Sequence, residues 1–278
     1  MRRQFLKIDT GRTYIMGVLN VTPDSFYDKG RFFDKEKAVG HAIDMAREGA
    51  DIIDVGGEST RPGAEDVDVE RELGRVIPVV RAISERISVS ISIDTRKAKV
   101  AEEALKAGAC IVNDVSALNY DPGMAAVIAK YGAICVLTHM KGSPKDMQVN
   151  PAYGDVVKEI ISTLEESIKK AKSSGITADK IIIDPGIGFG KTLEHNIEIL
   201  KRLDEFKRLG YPICVGTSRK SFIGKMLNSD DSGDRLAGTL ATCAIAVMKG
   251  AKILRVHDVK ETVQAARVAD SVIKSGKN

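Results

Sequence analysis

The sequence predicts a (β/α)8 barrel, the TIM-barrel class of α/β fold, on three observations. Eight short apolar runs rich in β-branched residues alternate with stretches of helical periodicity. The alternation fills a chain of 278 residues, 43% of them hydrophobic, without a linker or a low-complexity tract, and such barrels typically need about 250 residues. Most of the runs end in Asp, Asn, His or Ser, and the C-terminal strand ends are where a barrel gathers its reactive groups. Alternation alone leaves an open, doubly wound sheet as the competing architecture. A single domain over residues 1–278 is expected.

Taken in order, Met1 to Thr10 alternates weakly and is expected to close the bottom of the barrel as a strand. Tyr14 to Val18 is the first apolar run and leads into Leu19 and Asn20. The loop that follows, Val21 to Phe33 (VTPDSFYDKGRFF), is rich in turn residues. Asp34 is placed to cap a helix reaching Glu48, with Ala38, Ala42, Ile43 and Ala46 at helical spacing and Gly49 as its stop. Asp51 to Val55 is the second run; GGESTRPGA follows it, and a helix is expected over Asp68 to Arg86. The third run, Val89 to Ile93, ends in Asp94-Thr95-Arg96, and its helix spans Lys97 to Lys106. The fourth, Ala109 to Val112, ends in Asn113-Asp114, with a short helix opening near Pro122. Ala133 to Leu137 ends in Thr138-His139-Met140. The helix after it, Tyr153 to Ser173, repeats Val156, Ile160, Leu164 and Ile168 as one buried stripe.

The sixth run lies in KIIIDPGIGFGKT, Lys180 to Thr192. Ile181 to Ile183 is wholly apolar, as a strand buried on both faces requires, and runs straight into Asp184. Gly186, Gly188 and Gly190 let the backbone approach a ligand closely. The segment imitates a phosphate-binding loop without matching one. Pro185, not glycine, stands five residues before the glycine of Gly190-Lys191-Thr192, and the evenly spaced glycines miss the dinucleotide fingerprint. A helix is expected over Leu193 to Arg208, ended by Gly210. Ile213 to Val215 precedes GTSRKSFIG, and a helical region covers Arg235 to Lys249. Ile253 to Val256 ends in His257-Asp258, and a last helix reaches Ile273.

Composition narrows the function. A net charge of +4 with both signs interspersed leaves no electrostatic footprint for nucleic acid. No apolar run approaches the ~20 residues of a membrane span, and the first residues lack the apolar core of a secretory signal. Cys110, Cys135, Cys214 and Cys243 form no C-x-x-C pair, and three of them lie in strand-like runs. Buried free thiols in a reducing cytoplasm are expected rather than a metal site.

The strand ends read Asn20, Asp54, Asp94, Asn113, His139, Asp184, Ser218 and His257. Asp94, Asn113 and Asp184 suit a flat heterocycle with adjacent N–H donors, because a carboxylate accepts two such bonds in parallel. Asp94 and Asp184 are expected to be unpaired. Asp54 and Asp114 read instead as turn or cap residues. Arg61, Arg219, Lys220, Arg255 and His257 stand just beyond strand ends and suit an anion. Barrels often hold phosphate after the eighth strand, and the turn from Ser218 to Gly224 could hold a carboxylate on its backbone N–H groups. A lone Arg or Lys is usually a solvated surface charge; five near one barrel mouth point to a ligand.

Five separated motifs carry a resemblance. MGVLNVTPDSF (Met16 to Phe26), DVGGESTRPGA (Asp54 to Ala64), DPGIGFGKTLEHN (Asp184 to Asn196), GTSRKSFIG (Gly216 to Gly224) and RVHDV (Arg255 to Val259) resemble the dihydropteroate synthase family, and SIDTRK and IVNDVSAL fit it as well. The resemblance implies a pterin-binding barrel that condenses 6-hydroxymethyl-7,8-dihydropterin diphosphate with p-aminobenzoate, giving 7,8-dihydropteroate and pyrophosphate. It implies that Asp94, Asn113, Asp184 and Lys220 hold the pterin while Arg255 covers one face of the ring. Asn20 resembles the Mg²⁺ ligand, with Arg255 and His257 on the diphosphate. Thr60, Arg61, Pro62, Phe189 and Ser221 would frame the aminobenzoate, and Met140, Gly216 and Ser218 complete the implied binding set. The catalytic roles fall on Asp94, Lys220, Arg255 and His257. A homodimer and competition by sulfonamides are implied too.

Two stretches depart from the family pattern. Tyr27 and Lys29 make the first loop bulkier than usual, and Thr138 to Gln148 differs around His139 and Met140. A pterin-dependent methyltransferase uses a related barrel but has no use for the STRPGA, SRKS and RVH groups. A pterin-binding module without activity would keep Asp94, Asn113 and Asp184 but would not need His257.

Overall fold

The computed structural model describes residues 8, 11–22, 27–28, 32–33, 35–59, 63–229, 231 and 233–275. Its strands are β1 (Tyr14–Asn20), β2 (Tyr27–Asp28), β3 (Phe32–Phe33), β4 (Ile52–Gly56), β5 (Ser90–Asp94), β6 (Ile111–Asp114), β7 (Ile134–Thr138), β8 (Ile181–Asp184), β9 (Cys214–Val215) and β10 (Ile253–Val256). Its α-helices are α1 (Lys35–Glu48), α2 (Val69–Arg86), α3 (Ala98–Ala107), α4 (Met124–Tyr131), α5 (Val156–Ser173), α6 (Leu193–Lys201), α7 (Ser221–Leu227), α8 (Leu236–Lys249) and α9 (Val259–Ser275).

Eight strands form one parallel sheet in the order β8-β7-β6-β5-β4-β1-β10-β9. The two edges meet: Ile183 of β8 bridges Ile213 in parallel, and Ile183 N donates to Pro212 O at 3.0 Å. That contact closes the sheet, so the barrel reading holds and the open sheet does not. β2 and β3 make a short antiparallel pair inside the first long loop, outside the barrel sheet.

Closure explains the apolar runs. Strand side chains alternate between two faces. Tyr14, Met16, Ile52, Ile111, Ile134, Val136, Ile182, Cys214 and Ile253 fill the barrel interior, while Ile15, Ile53, Val55, Ile93, Val112, Leu137 and Val215 join the shell between strands and helices. Each fully buried aliphatic side chain contributes roughly 1.5–3 kcal/mol. The parallel register also sets the level of the polar strand ends: Gly56 pairs with Asp94, Asp94 with Asn113, and Thr138 with Asp184.

Helix boundaries follow local chemistry. Asp68 caps α2 by accepting from Arg71 N at 2.9 Å. Asp155 caps α5 by accepting from Val157 N and Lys158 N, so that helix starts at Val156 and not at Tyr153. The stripe Val156, Ile160, Leu164 and Ile168 is buried as predicted. The helix expected over Leu193–Arg208 breaks in two: α6 ends at Lys201 and a 3₁₀ segment spans Leu203–Leu209. Pro122 precedes α4 and lies outside its first turn. All four cysteines are free and buried. The strand expected over Met1–Thr10 lies, Ile8 apart, outside the described residues, as do Lys29 and the cap expected at Asp34; for Tyr27 only the backbone is described.

Candidate active site

The site is built at the C-terminal strand ends, and its centre is an arginine held between two carboxylates. Arg255 on β10 donates from Nε to Asp54 Oδ2 at 2.7 Å and from a terminal nitrogen to Asp94 Oδ2 at 2.6 Å. Asn113 Nδ2 donates to the same Asp54 oxygen at 3.0 Å. Alternation along each strand produces the cluster: Ile52 and Asp54, Ser92 and Asp94, Ile111 and Asn113, and Ile253 and Arg255 stand two residues apart, on one face of their strands.

These contacts correct two expectations. Asp94 is not unpaired. Asp54 is not a turn or cap residue; fully buried, it joins Arg255 to Asn113. The signal was in the sequence, since an acid flanked by β-branched residues within a strand must face inward or outward with period two, and outward is the helix shell. Asp114 does cap its own turn, accepting from Ser116 N, Ser116 Oγ and Leu118 N.

Burial pushes the Asp94 carboxyl up from its ordinary value, against the pull of Arg255. Burial works against the Arg255 charge too, but Asp54 and Asp94 outweigh it and hold the guanidinium above the usual arginine range. The pair contacts are charge-assisted and directional, which fixes where the guanidinium plane lies.

A second group forms around β8. Asp184 Oδ1 accepts from Gly186 N at 2.7 Å, so one carboxylate oxygen is committed to its own turn. Asp184 is therefore not wholly unpaired either. Burial raises this carboxyl, with Gly186 N and the Lys220 charge opposing. Lys220 Nζ donates to Ile187 O and lies 4.3 Å from the centre of the Phe189 ring. Burial draws the Lys220 ammonium down to about 8, opposed by Asp184 and assisted by Arg255. Arg219, at φ +57, makes the turn that presents Lys220 at the start of α7. The Arg219 guanidinium is itself engaged by Asp258 at 3.0 Å, away from the role of anion binder expected for it.

A third contact orients His257. Ser218 Oγ accepts from His257 N at 3.1 Å and shares a hydrogen bond with its Nδ1 at 3.0 Å. Gly216 packs against Arg255, whose Cβ lies 3.6 Å from where a Gly216 Cβ would stand. Asn20 ends β1 and is half-buried, Met140 follows the buried His139, and Ser221 is the exposed first residue of α7. Thr60, Arg61 and Pro62 lie outside the described residues. The structure thus brings Asp94, Asn113 and Arg255 into one cluster and Asp184, Phe189 and Lys220 into another. Sequence reasoning missed Lys191, seen there only as part of a failed nucleotide motif; it is buried beneath the β8 loop.

Comparison with known proteins agrees with this geometry. The family model described as pterin binding enzyme matches residues 16–257. The dihydropteroate synthase of Escherichia coli strain K12 is 50% identical over 275 residues, covering 99% of this chain and 97% of that protein. The crystal structure of the Yersinia pestis dihydropteroate synthase with a sulfonamide drug complex superposes with a TM-score of 0.92 at 43% identity, covering 99% of both chains. The Clostridium difficile dihydropteroate synthase, crystallised in the presence of pteroic acid, gives 0.90 at 51% identity, covering 95% of this chain and 98% of that one.

Proposed function

The chain belongs to the dihydropteroate synthase family of pterin-binding enzymes, and we propose that its barrel mouth condenses 6-hydroxymethyl-7,8-dihydropterin diphosphate with p-aminobenzoate, releasing pyrophosphate and 7,8-dihydropteroate. The observation that carries this reading is the Asp54–Arg255–Asp94 bridge beside Asn113. It fixes a planar cation and a carboxylate at the level where a flat, N–H-rich ring would lie.

In this reading Asp94, Asn113, Asp184 and Lys220 hold the pterin, with Arg255 over one face. The Asp184 oxygen that is not bonded to Gly186 N accepts from the ring. The C–O bond of the hydroxymethyl group breaks heterolytically, and the diphosphate takes the electron pair. Arg255 and His257 stabilise the departing anion. The carboxylates of Asp94 and Asp184 stabilise the cation left on the methylene carbon and delocalised into the ring. The aryl amine then attacks that carbon and loses a proton. Thr60, Arg61, Pro62, Phe189 and Ser221 frame the aminobenzoate, and Met140, Gly216 and Ser218 complete the walls.

Mg²⁺ fits the donor set. Asn20, half-buried at the end of β1, would contribute its amide oxygen, with waters and substrate phosphate oxygens supplying the rest. Among the described residues no group of three His, Cys, Asp or Glu forms a cage of its own. When bound, the ion would neutralise charge on the leaving diphosphate.

The barrel forms one domain over residues 1–278 in this reading, and four buried free thiols suit a reducing cytoplasm. A homodimer is supported by exposed apolar residues on two helices that pack together, Ile245 and Met248 on α8 with Val268 and Val272 on α9. The test is chromatographic detection of 7,8-dihydropteroate after incubation of the protein with both substrates and Mg²⁺. Product is expected; tight pterin binding without product would reduce the protein to a binding module.

A further inference from the structure

None of the steps above uses Lys191, yet its amine is among the most constrained polar groups in the molecule. The residue is 3% exposed. Its Nζ donates to Gly186 O at 2.8 Å and to Phe189 O at 2.9 Å, shares a hydrogen bond with His139 Nδ1 at 3.0 Å, and lies 3.4 Å from His139 O. None of these partners is a carboxylate. A buried amine in such a place is tolerated only if its hydrogen-bonding capacity is used, and here every partner lies on one of two loops.

Those loops are the ones that follow β7 and β8, and they meet backbone to backbone. Gly186 has φ +69, and a Cβ there would run into His139 O; Gly190 has φ +63, and a Cβ there would run into Lys141 O. Gln148 Nε2 donates to Gly188 O at 2.7 Å, and Tyr153 Oη donates to Gly190 O at 2.9 Å, so the β7 loop also grips the far end of the β8 loop. The β8 loop carries Phe189, whose ring meets the Lys220 ammonium, and Ile187, whose carbonyl accepts from it. Burial, followed by any charge on Lys191, pulls His139 down to about 2, and burial draws the Lys191 amine well down too, so the imidazole in this contact is neutral.

We propose that Lys191 is a positioning residue for the second substrate: with His139 it locks the β8 loop so that Phe189 keeps its place against Lys220. This rests on the reading of the site given above, in which Phe189 frames the aminobenzoate. Lys191 touches no substrate; it acts through the carbonyls of Gly186 and Phe189. A shift of the loop by a fraction of an ångström would loosen the aminobenzoate wall while leaving Asp94, Asn113 and Arg255, which belong to other strands, in place.

The test is steady-state kinetics on Lys191→Met, His139→Leu and His139→Asn. Lys191→Met and His139→Leu are expected to raise KM for p-aminobenzoate about tenfold or more, with kcat within about threefold, since small misplacements cost up to about a hundredfold. His139→Asn, whose amide can donate or accept near the place of Nδ1, is expected to stay within about threefold of the wild type on the same grounds. A purely structural role would lower the folded fraction without moving KM. Folded Lys191→Met with wild-type KM would overturn the proposal, and so would equal KM in His139→Leu and His139→Asn. That second comparison decides the matter if Lys191→Met does not fold. Amide hydrogen exchange over residues 186–190 needs no substrate: it is expected to quicken in Lys191→Met and His139→Leu but not in His139→Asn, and unchanged exchange in all three would equally overturn the clamp. A wild type that never turns over defeats the reaction assignment instead, and this is seen before any variant is compared.

Discussion

Arg255 Nε donates to Asp54 Oδ2 at 2.7 Å, joining residues 201 positions apart in the chain. The pair reaches across β1, which lies between β4 and β10 in the sheet, and it sets the direction of the guanidinium that also reaches Asp94. Asp54 is fully buried, so removing its carboxylate leaves Arg255 and Asn113 without their shared acceptor. Asp54→Ala should destabilise the fold by about 3–5 kcal/mol, the usual cost of breaking a buried ion pair from one side. Urea denaturation checks this, and a loss below about 1 kcal/mol, the range of surface pairs, would show that the bridge is not held as described.

Asp184 offers the pterin one oxygen, its other being bonded to Gly186 N. In Asp184→Asn an amide donor can face the ring's own donor. Pterin-analogue affinity should fall by about 1–3 kcal/mol, the cost of an unsatisfied buried group. Calorimetric titration measures it, and unchanged affinity removes Asp184 from the pterin site.

The Lys220 ammonium, drawn down to about 8 by burial, should limit activity on the alkaline side. The sign is fixed by the group: protonated below that value, it loses its charge as pH rises through it. The profile of kcat/KM should therefore fall above about pH 8. Lys220→Arg, whose guanidinium stays charged, should move that limb out of the accessible range even if its rate is lower. An alkaline limb at the same pH in the variant would assign it to another group.

How much of this was legible beforehand differs by level. The eight apolar runs and the residues at their ends gave the barrel, because burial on both faces leaves a continuous β-branched signature. The stripe of α5 was legible for a different reason, an apolar residue every four positions on one face. The break between α6 and the 3₁₀ segment was not, since both stretches share helical composition. Asp94, Asn113, Asp184, Lys220 and Arg255 could be named from their places at or near strand ends, though Arg255 lies within β10 and not beyond it, but their pairing could not. The Arg255 bridge depends on β1 lying between β4 and β10, and the parallel ladders of the folded sheet set that order. Lys191 stayed hidden because all its partners but the His139 ring are carbonyl oxygens, which every residue has.

The Yersinia pestis relative was crystallised with a sulfonamide drug complex, and the aminobenzoate wall proposed here includes Phe189 and Ser221. Sulfonamide inhibition of this protein should be relieved by raising p-aminobenzoate. Inhibition that persists at saturating p-aminobenzoate would place the drug in a separate pocket.

The central claim is that the barrel mouth joins the pterin methylene carbon to the aryl amine with loss of pyrophosphate. Pyrophosphate release from 6-hydroxymethyl-7,8-dihydropterin diphosphate, followed with and without p-aminobenzoate, tests it most directly. With p-aminobenzoate present, release should match 7,8-dihydropteroate mole for mole. No release in its presence, or release there without matching dihydropteroate, would contradict the account.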